Sequence, residues 1–86
     1  GCYMSADRRS VVPVVEKLDG LLFYPVAFEG LESSPNVFYT GAMPNQRIVP
    51  AVRWIRSFLE ANRFFFLGGD EIWSRGCAEV TRDRLK

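Results

Sequence analysis

Eighty-six residues fill at most one small domain, and a core of that size leaves a thin margin once chain entropy is subtracted. A hydrophobic content of 48% with 24% charge is that of a globular fold, not a disordered one, and seven phenylalanines call for extensive burial. Eleven basic residues scattered among ten acidic ones give a net charge of +1, which leaves no electrostatic footprint for nucleic acid.

Cys2 and Cys77 fit neither a CxxC spacing nor a disulfide-dense scaffold, and the absence of histidine argues against zinc, so no metal or cofactor is expected. No run approaches the roughly 18 apolar residues of a membrane span. The chain opens on Gly1-Cys2-Tyr3 and closes on Arg84-Leu85-Lys86 within a helical pattern, so it reads as an interior section of a longer protein.

In chain order, Ser5 precedes Ala6-Asp7-Arg8-Arg9 as an N-cap with an acid in the first turn. Val11, Val14, Val15 and Leu18 then follow helical spacing, predicting a helix from about Ala6 to Leu18 with an irregularity at Pro13. Asp19-Gly20 closes it. Leu21-Leu22-Phe23-Tyr24, stopped by Pro25, reads as a short buried strand whose carboxyl end is a place for a site in an α/β sheet. Turn formers between Pro25 and Asn36 predict a surface loop, and Val37 to Thr40 a second strand ended by Gly41.

Met43-Pro44-Asn45-Gln46 offers a helix start. Ile48, Ala51, Val52, Ile55 and Leu59 recur at helical spacing up to Ala61-Asn62, with Pro50 near the first turns. Phe64-Phe65-Phe66-Leu67 reads as a third strand, apolar on both faces, and Cys77, Val80, Thr81 and Leu85 as a helix after Ser74. Helices alternating with strands predict an α/β fold with a parallel sheet flanked by helices. Val11, Val14, Leu22, Phe23, Val37, Ile48, Val52, Ile55, Phe65 and Leu67 are its expected core in the intact protein.

The chemistry that can be read in is sparse. Gly68-Gly69-Asp70-Glu71 lacks both GxGxxG and the Walker lysine, so a plain turn is the better reading than a phosphate loop. Asp70 and Glu71 are adjacent carboxylates without a visible pocket. Without histidine or a G-x-S-x-G elbow the common nucleophilic triads are gone, and no catalytic residue is expected.

Three stretches carry a resemblance: Gly1-Cys2-Tyr3-Met4-Ser5 with Arg8-Arg9; Leu22-Phe23-Tyr24-Pro25-Val26 with Glu29-Gly30; and Ser34-Pro35-Asn36-Val37 through Thr40-Gly41-Ala42-Met43-Pro44-Asn45-Gln46. Together they resemble the urea and short-chain-amide branch of the type I periplasmic binding proteins: the substrate-binding components of urea ABC transporters and the amide sensor of an amidase operon. The resemblance implies two α/β lobes closing on a ligand. Residues 1–41 would belong to the first lobe, 42–46 to the crossing and 47–86 to the start of the second.

It further implies that Ser5 and Tyr24 form an amide pocket with the Val26 N–H and Tyr3 nearby, while Ser5 also remains a helix cap in its plainer role. The family's second-lobe tyrosine is Glu71 here, and Phe28 stands where a tyrosine is usual. The implied function is capture of urea or a short-chain amide for a membrane permease, in the periplasm or outside the cell, with no nucleic acid and no membrane insertion. The alternative is a ligand-sensing domain of a signalling or regulatory protein with the same fold, cytoplasmic if that reading holds.

Overall fold

The computed structural model describes residues 1–86 as α1 (Ser5–Lys17), β1 (Leu22–Tyr24), β2 (Val37–Tyr39), α2 (Ile48–Phe58) and α3 (Ile72–Leu85). The two strands are parallel, with Leu22 opposite Val37, Phe23 opposite Phe38 and Tyr24 opposite Tyr39. The α/β class expected from the sequence is therefore observed, in a small sheet. Residues 25–36 make the crossover without a helix. Left-handed Gly30 and Leu31 (φ 82° and 64°) fold this loop back, and the Phe28 N–H donates to the Ala42 carbonyl at 3.0 Å.

Strand alternation sends Leu22, Tyr24, Val37 and Tyr39 toward α1, where Val12, Tyr24 and Val37 form the buried cluster. The opposite face has no covering layer. Phe23, expected in the core, is 54% exposed there and stacks on Phe38 with ring centroids 5.3 Å apart. Val14 is likewise exposed, because α1 turns a different stripe inward: Ser5, Arg8 and Val12, at helical spacing but with two polar members.

Some helix ends match expectation and others depart from it, each for a local reason. Met4, not Ser5, is the N-cap of α1, since the Ser5 side chain bonds elsewhere. At the other end Asp19 takes the left-handed conformation (φ 49°). Its N–H donates to Glu16 O and that of Gly20 to Val15 O at 2.8 Å, a Schellman closure with an aspartate in the glycine position. Helix α2 stops at Phe58, short of Asn62, because Glu60 turns left-handed (φ 50°). Pro50 falls in its first turn, where the missing N–H costs little. Helix α3 begins at Ile72, two residues before Ser74, capped by the backbone of Glu71.

The third strand is the main correction. Phe64–Leu67 forms neither strand nor helix, because a strand needs a ladder and no neighbour supplies one. Phe65 and Leu67, expected in the core, are 91% and 87% exposed. The segment borders an apolar groove of about 500 Å³ between α2 and α3 that includes Val52, Trp73 and Cys77. Cα extents of 49 × 23 × 19 Å and a radius of gyration of 14.9 Å, against about 12 Å for a compact chain of this length, record the incomplete layering. None of the helices is long and apolar enough to cross a membrane.

Candidate functional site

Beyond the carboxyl end of β1 the chain leaves the sheet at Pro25, and the N-terminus of α1 approaches the same point. Between them lies an open cleft of about 500 Å³ lined by Tyr3, Met4, Ser5, Tyr24, Val26, Ala27, Arg47, Glu71 and Trp73. All five residues singled out in the sequence, Tyr3, Ser5, Tyr24, Val26 and Glu71, are on its wall. Arg47 and Trp73 were missed. Arg47 lies beside a segment that the sequence reads as a helix start, and Trp73 between the turn at residues 68–71 and the helix expected after Ser74. The Arg47 guanidinium stands 5.8 Å from the centre of the Trp73 ring, so the two form one side of the opening.

Local folding explains each position. Gly41 lies against the backbone of Pro25 and Val26 so closely that an added Cβ would sit 2.0 Å from the Val26 carbonyl oxygen, which pins the cleft floor to the end of β2. Tyr24 is buried, and its hydroxyl donates to the Tyr3 carbonyl at 3.1 Å. Glu71 is the N-cap of α3, where a negative charge meets the positive end of the helix, and it accepts from Ser74 Oγ at 3.1 Å.

Behind Ser5 lies a buried ionic network. Arg8 and Glu29 are both 0% exposed. Arg8 donates through Nη2 to Glu29 Oε1 at 2.5 Å, through Nη1 to Glu29 Oε2 at 3.2 Å, and through Nε to Glu32 Oε2 at 2.9 Å. Ser5 Oγ donates to Glu29 Oε2 at 3.0 Å, and the Tyr39 hydroxyl to Glu32 Oε2 at 2.6 Å. The guanidinium also lies 4.8 Å from the ring centres of both Tyr24 and Phe28.

Burial alone would raise the Glu29 carboxyl, but the hydrogen bonds and charge of Arg8 outweigh it and hold the group below the usual carboxylate range. Burial likewise opposes the Arg8 charge, and its bonds to Glu29 and Glu32 more than reverse that. The Tyr39 hydroxyl is pushed up by burial and by its bond to Glu32. Burial, with the charge of Glu29, also raises the Cys77 thiol, which disfavours the thiolate.

The cleft therefore offers hydrogen-bonding groups and aromatic walls. The Val26 and Ala27 N–H groups are without partners in the chain, as are those of Ser5, Ala6 and Asp7 at the start of α1. No group of three or more metal-ligating side chains is present. In comparison with known families, one family, described as periplasmic binding protein domain, matches the chain over residues 1–86.

Proposed function

Because this chain belongs to the periplasmic binding protein domain family, we propose that it forms one part of a cleft that captures urea or a short-chain amide by hydrogen bonding, without covalent chemistry, and hands it to an ABC-transporter permease. The observation that carries this reading is the single cleft shared by Tyr3, Ser5, Tyr24, Val26 and Glu71. In it, residues 1–41 belong to the first lobe, 42–46 cross over, and 47–86 begin the second, so that Ser5 and Tyr24 face Glu71 across the gap. The proposed location is the periplasm or cell exterior.

The free Val26 N–H suits a ligand carbonyl, and the acceptors around it suit the ligand's N–H groups. A carboxylate at Glu71 favours ligands rich in N–H donors or positively charged, whereas an aliphatic group beside it would strand the charge. Urea and guanidinium are therefore expected to bind more tightly than acetamide.

Calorimetric titration of the full-length protein with urea, acetamide and guanidinium at low concentration tests this. Saturable binding of at least one is expected, with Ser5→Ala and Tyr24→Phe each weakening it by about 1–3 kcal/mol, the usual cost of an unpaired polar group in a desolvated site. Replacing Glu71 by tyrosine is expected to move acetamide up the ranking. An unchanged ranking would remove Glu71 from the site, and unchanged affinity in both other variants would move the site elsewhere.

A further inference from the structure

Ser5 is within reach of the cleft, yet its hydroxyl proton is already committed. An ionised carboxylate can only accept, so at 3.0 Å from Glu29 Oε2 the Ser5 O–H must be the donor. Arg8 fixes that carboxylate from the other side with two bonds and approaches Ser5 Oγ itself at 3.4 Å as a further donor. What Ser5 has left for the cleft is a lone pair. Tyr24 is in the same condition, since its hydroxyl proton goes to the Tyr3 carbonyl.

We propose that Glu29, held by Arg8, is a positioning residue that accepts the hydrogen bond of the Ser5 hydroxyl, so that Ser5 meets the ligand as an acceptor and selects N–H donors. The inference rests on the reading of this cleft as the ligand site. It assigns a task to a glutamate that touches no ligand: with its carboxylate in place, Ser5 cannot bind a carbonyl oxygen, and the ligand carbonyl is directed to the backbone N–H of Val26. A ligand that offers only acceptors is excluded from the Ser5 side.

A double-mutant cycle on the full-length protein reads this out, using urea, guanidinium and acetamide as probes. Glu29→Gln keeps the size of the side chain but, with its amide oxygen kept on Arg8 Nη2 in place of Oε1, turns an N–H donor toward Ser5 in place of Oε2, releasing the Ser5 proton. We expect about tenfold weaker urea binding in Ser5→Ala and in Glu29→Gln, and less than a twofold further loss when the second change is added to the first. The ratio of guanidinium to acetamide affinity should fall about fivefold in Glu29→Gln, yet stay unchanged between Ser5→Ala and the double variant.

Glu29→Asp, which withdraws the carboxylate by one carbon, serves as a second variant in the same cycle if circular dichroism shows Glu29→Gln unfolded. Equal losses from the Glu29 change in both backgrounds, with an unmoved ratio, would make Glu29 a merely structural residue and overturn the proposal. Failure of the wild-type protein to bind any probe, or full affinity in Ser5→Ala, would instead strike the cleft reading itself, and the positioning role with it.

Discussion

Arg8→Ala is expected to cost about 3–5 kcal/mol of folding stability, the usual penalty for removing one partner of a buried ion pair. The loss arises from what stays behind. Glu29 would remain fully buried with its largest compensating charge gone, and Glu32 would lose the bond from Nε. Against the roughly 5–15 kcal/mol of a typical domain that is a large fraction.

The measurement is thermal unfolding of the full-length protein by circular dichroism, because urea and guanidinium are themselves candidate ligands. A double variant, Arg8→Met with Glu29→Met, should recover most of the loss, since well-packed apolar residues often replace a buried pair without penalty. Equal melting temperatures for Arg8→Ala and wild type would mean that water reaches the pair. The same network sets the acid limb of stability. The folded-state pKa of Glu29 lies below its unfolded value of about 4.3. Its contribution is therefore complete above about pH 4.3 and lost as pH falls through the folded value, so the variant lacking Glu29 should show a flatter acid limb.

This network also marks the limit of what residue patterns reveal. The apolar runs at Leu22–Tyr24 and Val37–Tyr39 and the helical spacing after Ile48 specify their elements locally, and these appear close to where the pattern puts them. The pattern places Arg8 only in the first turns of a helix, beside Arg9, with no sign of burial. Its burial depends on Glu29, 21 positions away, and on a crossover loop that curls back under α1. For the same reason Ser5 resembled a helix cap although its hydroxyl goes to that glutamate.

Phe64–Leu67 failed as a strand for the complementary reason: its composition is right for a covered sheet, but a strand exists only beside another. The cleft residues were legible through family resemblance rather than spacing. Arg47 and Trp73 carried no comparable signal, since each is defined by where α2 and α3 begin.

The joint between α3 and the loop is set by Gly76, and Gly76→Ala is expected to reverse the usual sign of a helix substitution. In an ordinary helix interior the change would gain about 1 kcal/mol. Here the added Cβ would lie 2.7 Å from Glu29 Cγ and 2.9 Å from Glu29 Cβ, inside any contact that carbon atoms make. A flexible surface side chain would swing aside, but Glu29 is tethered by Arg8 and Ser5 and cannot. Relief must come from α3 moving outward.

Overpacking of this kind costs typically 1–3 kcal/mol, which outweighs the helix gain. Since Glu71 and Trp73 stand at the start of α3, the same displacement should widen the cleft and weaken ligand binding in the full-length protein. Gly69→Ala is the control, as its new Cβ would meet only the Glu71 side chain at 3.8 Å. Thermal unfolding with parallel urea titration should show Gly76→Ala impaired in both and Gly69→Ala in neither. A Gly76→Ala protein as stable as wild type would mean that α3 and the Glu29 loop do not pack as closely as this geometry requires.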